Sequence, residues 1–108
     1  MKPQITIEDF LKLDLRVGEV VSAETVDGSN KLLKLTVNFG EFTRIIYSGI
    51  KKWYTADSLL NKKFVFLVNV IPKKFKFGTS EGMILAAGDD EAVLYSFDKD
   101  IKNGTTIH

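Results

Sequence analysis

A chain of 108 residues, 44% hydrophobic and 27% charged, has the size and composition of one folded domain with one modest core. It has no cysteine, which removes disulfides, thiolate chemistry and cysteine-based zinc sites, and no apolar run approaches the ~20 residues of a membrane span. The net charge of +1 conceals two opposed blocks: residues 31 to 76 hold ten Lys/Arg against two acids, while the remainder holds five basic and twelve acidic residues.

Met1-Lys2-Pro3-Gln4 leads into an amphipathic segment with Glu8 and Asp9, not the apolar stretch of a signal peptide, and a cytoplasmic protein is the expectation. Thr6 is a candidate N-cap with Asp9 three residues on, and Ile7, Phe10 and Leu11 fall at helical spacing, which predicts a short helix or turn. Period-two alternation then takes over. Leu15 to Val20 alternates and continues through Ala23 to Val26, with Gly18 read as a bulge where the sheet bends. Asp27-Gly28-Ser29-Asn30 is a turn, Leu33 to Phe39 is a second strand, and Thr43 to Ser48 is a third.

Asp57 to Leu60 predicts a brief helix, and the β-branched and aromatic run Lys63 to Ile71 a fourth strand, with Pro72 at a bulge or edge. Met83 to Ala87 and Val93 to Phe97 complete the strands. A chain this short with five or more strands must close or sandwich its sheet. The expected fold is all-β: a five-stranded OB-fold Greek-key barrel with a short N-terminal helix and a small helix between strands 3 and 4. Residues 1–108 read as one domain, with about 94–108 as a C-terminal extension.

Catalysis is argued against by what the sequence lacks. The sole histidine is the terminal His108, and there is no phosphate-binding loop, dinucleotide fingerprint or zinc-protease motif. Asp89, Asp90 and Glu91 read as a solvated turn, so neither a metal nor a cofactor is expected. Trp53 and Tyr54 follow Lys51 and Lys52, a pairing able to stack on RNA, but the adjacent helix needs an anchor, so core packing is favoured for Trp53. Asp14 and Arg16 read as a surface pair.

The segment Asn69 to Met83 interleaves Lys73, Lys74 and Lys76 with Phe75 and Phe77 and ends in hydroxyl and small residues. Lysines pair with phosphates, aromatic or thioether groups offer a face to an unstacked base, and Asn69 and Ser80 can donate or accept. The simpler reading makes the two phenylalanines inward residues of one strand. Together with the basic block, the segment is the footprint of a polyanion-binding face.

Asp9-Phe10, Asp14 to Gly18, Gly28 to Leu35, Ser48-Gly49-Ile50 and Asn69 to Ala87 closely resemble the tRNA-binding domain appended to methionyl-tRNA synthetases, which also occurs as a free-standing protein. Lys74 to Met83 is the most specific stretch; the match spans about residues 7 to 88, and the tail resembles the family's C-terminal extension. The resemblance implies non-catalytic, shape-directed tRNA binding that assists an aminoacyl-tRNA synthetase. Lys31, Lys34, Asn69, Lys73, Lys74, Lys76, Ser80, Glu81 and Met83 match the binding surface. Family members often carry arginine where Lys76 stands; lysine keeps the charge and loses the planar fork. The implied partners are tRNA, a second copy and a synthetase catalytic chain, with Tyr95, Phe97 and Ile101 as candidate dimer contacts. The alternative is a dimeric, export-related chaperone that binds unfolded segments through Phe75, Phe77 and Met83.

Overall fold

The computed structural model describes residues 1–108. Helix α1, Ile7–Phe10, is held by a capping box: the Thr6 hydroxyl accepts from the Asp9 N–H at 3.1 Å, and the Thr6 N–H donates to the Asp9 carboxylate at 3.3 Å. Strands β1 (Leu15–Thr25), β2 (Leu33–Asn38) and β3 (Thr43–Ser48) follow as an antiparallel meander. In β2 the alternation is strict: Leu33, Leu35 and Val37 are fully buried, and Lys34, Thr36 and Asn38 face outward.

Helix α2, Ala56–Leu59, lies between β3 and β4, capped by the Thr55 hydroxyl, and drops Leu59 into the core. Strand β4 (Lys63–Leu67) pairs with the first half of β1. Strands β5 (Lys73–Phe75) and β6 (Gly78–Ser80) form a separate hairpin, and β7 (Met83–Ile84) pairs with β4. The path β3-β2-β1-β4-β7 is a nearly closed five-stranded barrel of OB type around twelve buried apolar residues. No helix is long and apolar enough to cross a membrane.

The barrel is sealed between β3 and residues 80–81 largely by side chains. One main-chain bond crosses there, from the Glu81 N–H to the Ile45 carbonyl at 2.9 Å. The Ile45 N–H donates to the Glu81 carboxylate at 2.8 Å, and the Tyr47 N–H to the Ser80 hydroxyl at 3.0 Å. Arg44 donates to the carbonyls of Val68 and Glu81 at 3.3 and 3.0 Å. Backbone donors that would otherwise lack partners are thereby satisfied.

Several element boundaries differ from the sequence reading. Gly18 is not a bulge; it pairs regularly with Phe64, and the extra residue is Val21, between the Val20–Val37 and Ser22–Thr36 pairs. That insertion moves the inward phase from Val20 to Ala23. The fourth strand ends at Leu67: the Val68 N–H still reaches the Asp14 carbonyl in register, but the Asp14 N–H donates to the Asn69 side chain and the Val68 carbonyl accepts from Arg44, so the ladder stops and the chain leaves the sheet before Pro72. Met83 to Ala87 splits into β7 and β8 (Ala86–Ala87), and β8 pairs with β9 (Val93–Leu94), all that forms of the last predicted strand. The tail returns as β10 (Thr106–Ile107) along the edge of β1 that β2 leaves open.

Candidate nucleic-acid interface

The β5–β6 hairpin is laid over the outer face of β3. Phe75 meets the Tyr47 ring edge-on at 5.1 Å, and the Tyr47 hydroxyl donates to the Phe77 carbonyl at 3.2 Å. Gly78, at φ 151°, permits the contact, since a β-carbon there would lie 2.5 Å from the Tyr47 hydroxyl. Phe77 covers Gly28 on the opposite side. The two phenylalanines are half-buried anchors, with Phe75 on β5 and Phe77 in the turn, so they do not share one strand. Between hairpin and barrel lies a cleft of about 440 Å³, whose lining includes Leu32, Tyr47, Val70, Ile71, Lys73 and Met83. Ile71 and Met83 are 87% and 46% exposed there.

A second cleft of about 390 Å³ is lined by Asn30, Lys31, Gly49, Lys52 and Trp53. Gly49 borders both clefts, so the two adjoin there. The loops around it are tied together: the Lys51 N–H donates to the Lys31 carbonyl at 3.1 Å, and the Ser29 hydroxyl accepts from Leu32 at 3.1 Å. Lys34 stands opposite Tyr47 on β3 and Glu24 on β1.

The positions singled out in the sequence fall into three groups. Lys31, Lys34, Lys73, Lys74, Lys76 and Met83 lie on this face or on its hairpin, with the Lys76 ammonium 5.6 Å from the Phe77 ring centre. Asn69, Ser80 and Glu81 are occupied by the fold itself. Asn69 accepts from the Asp14 N–H at 2.8 Å and donates to the Lys12 carbonyl at 2.7 Å, fastening the N-terminal segment to the connection that leads into β5. Ser80 is buried in the seam, and its hydroxyl donates to the Gly82 carbonyl at 3.0 Å. Tyr95, Phe97 and Ile101 lie in the C-terminal extension, and the last two border a separate cleft beside Lys62 and Lys63.

The basic block is therefore divided. Arg44 belongs to the seam, while Lys62 and Lys63 sit at the end of β4 opposite Leu67 and the hairpin. Lys63 bonds to Asp100 at 3.1 Å and holds that carboxyl below its ordinary pKa, first through the hydrogen bond and then through charge. Arg16 forks onto Asp14 at 2.8 and 3.2 Å, which raises the guanidinium pKa further. Trp53 is not in the core. Ile50 and Leu59 fill that space and Tyr54 packs against them, leaving Trp53 40% exposed. The sequence signal for it was present in the preceding Lys51-Lys52 pair; Val70 and Ile71 gave none, because they read as strand.

A family model described as "Putative tRNA binding domain" matches residues 15–106. The chain belongs to that family. This tRNA-binding domain is 46% identical over 109 residues to methionine–tRNA ligase 1 of Sorangium cellulosum, a match covering 100% of the chain and 16% of that protein. It is 46% identical to the methionine–tRNA ligase of Deinococcus radiodurans over 95% of the chain and 15% of the ligase. The domain thus spans about a sixth of these relatives' length and corresponds to a binding part rather than a catalytic one. Among solved structures it superposes with a TM-score of 0.93 on a MetRS-related protein from Pyrococcus horikoshii, at 32% identity, covering 99% of the domain and 100% of that chain. The chaperone CsaA of Bacillus anthracis superposes at 0.91, with 31% identity, covering 98% of the domain and 100% of that chain.

Proposed function

We propose that the domain binds tRNA through its shape and backbone and assists an aminoacyl-tRNA synthetase of the methionyl type, as an appended domain or a separate subunit. The observation that carries this reading is the meeting at Gly49 of two clefts that hold Lys31, Lys52 and Lys73 together with exposed aromatic and thioether groups. The lysines displace counterions from phosphates, and Met83 and the polar loop groups meet sugars or exposed bases. Asn69, Ser80 and Glu81 act through the hairpin they hold in place. The C-terminal extension joins two copies through Tyr95, Phe97 and Ile101, and the protein works in the cytoplasm.

A second reading has its own observation. Ile71 and Met83 present apolar surface in the larger cleft, and proteins named as chaperones share the fold at 31% identity. Titration with bulk tRNA and, separately, with a denatured protein tests both readings. A saturable complex with tRNA alone supports the first; a saturable complex with the unfolded protein alone replaces it. Sedimentation of the free protein at twice the 12.1 kDa chain mass is expected from the proposed pairing, and a monomer contradicts it.

A further inference from the structure

Trp53 is the sole tryptophan of the chain and is 40% exposed on a loop that is otherwise firmly held. Its own N–H and that of Tyr54 both donate to the Ile50 carbonyl at 3.0 Å, and the Ile50 side chain is buried. On the other flank the Tyr54 hydroxyl accepts from the Leu94 N–H at 3.1 Å. The facing loop is fixed through the Lys51-to-Lys31 main-chain bond. At Gly49, between them, a β-carbon would meet nothing within 4 Å, so the space above it is open. The Lys52 ammonium stands over the indole, 5.6 Å from its centre, and Lys31 and Asn30 complete the walls.

We infer that this cleft receives one unpaired nucleotide of a bound RNA. The base stacks on the indole in the place of the Lys52 ammonium, which moves from the ring to the phosphate beside Lys31, and the Asn30 amide donates to or accepts from the base edge. An exposed indole with one mobile cation over it and a second on the cleft wall is complementary to a nucleotide, which joins a π-face to an anion. An apolar peptide side chain would cover the indole and leave both ammonium groups without a counter-charge. The inference rests on the tRNA reading and adds a specific contact to it: a base taken out of the stack, beyond contacts to shape and backbone.

The single tryptophan makes the test direct. Indole fluorescence is followed while tRNA is added, in parallel with the anisotropy of end-labelled tRNA, and again with inorganic polyphosphate as a base-free polyanion. Saturable quenching by tRNA at the midpoint seen by anisotropy, with the indole unmoved by polyphosphate, is expected. Equal quenching by polyphosphate overturns the inference, as does tRNA binding that leaves the indole unchanged. Absence of any anisotropy change defeats the tRNA reading itself, so the two failures are distinguishable. Trp53→Ala should weaken tRNA about tenfold with its salt dependence unchanged, the signature of a lost stack, and Trp53→Phe should restore most of the loss. A Trp53→Ala protein with full affinity overturns the stack.

Discussion

At Gly18 a β-carbon would lie 2.5 Å from Val37 Cγ1, 2.7 Å from Phe39 and 2.8 Å from Phe66. The residue is a glycine because three core side chains converge on its backbone, and Gly18→Ala should cost about 1–3 kcal/mol in urea unfolding, as overpacked cores do. Sequence reading identified the glycine as special and assigned the wrong reason, since the side chains that crowd it come from β2, the residue after its end, and β4. Ser80 and Glu81 teach the same lesson. The family resemblance marks them as binding positions, and the fold adds partners that the sequence does not show: the N–H groups of Tyr47 and Ile45 on β3. Glu81→Ala leaves the Ile45 N–H unpaired and should destabilise by about 1–2 kcal/mol, with Glu81→Gln milder because an acceptor remains. Asp100 gives a pH prediction. Its folded-state pKa is lowered by Lys63, so the contact is complete above the ordinary carboxylate value and is lost as pH falls through the lowered one. Protection of the Thr106 and Ile107 amides, taken relative to the intrinsic exchange rate at each pH, should therefore fall only in acid, and Asp100→Asn should remove that acid loss.

The elements differ in how far local pattern determines them. The places of β1 to β4 and of both helices were legible because each has an alternating or β-branched run or a cap, and in β2 and β4 burial follows period two, whereas the Val21 insertion in β1 and the end of β4 at Leu67 did not show. Residues 69 to 80 were legible in chemistry and not in shape. Their apolar residues suit a strand, but Asn69 fastens the chain to Lys12 and Asp14, and Phe75 and Phe77 fold the segment back onto Tyr47 and Gly28 as a hairpin. No local signal reports those long-range partners. Replacing Lys73 and Lys74 together by alanine should weaken tRNA binding across all tRNA species and flatten the slope of log K against log salt by about one to two units, while circular dichroism stays unchanged. Unchanged slope in that variant would remove the hairpin from the interface.

Over the whole molecule, the central fact is the sorting of positive charge. The sequence shows a basic block; folding sends Lys62 and Lys63 to the C-terminal extension beside Asp98 and Asp100 and Arg44 into the seam, and keeps Lys31, Lys52 and Lys73 on two adjoining clefts, with Lys74 and Lys76 on the hairpin that walls one of them. Linear charge counting cannot make that division, because it depends on partners distant in the chain: Asp100 for Lys63, and the carbonyls of Val68 and Glu81 for Arg44. A polyanion on the cleft face and no polyanion at the Lys62 end is the physical content of the account. The most direct test is the salt dependence of tRNA affinity for three proteins: the native chain, a Lys31→Ala/Lys73→Ala variant and Lys62→Ala. The account predicts a steep linear fall of log K with log salt in the native chain, a slope shallower by about 1.5 in the double variant, and a native slope for Lys62→Ala. A slope that changes as much at Lys62 as at the cleft, or that changes at neither, would contradict it.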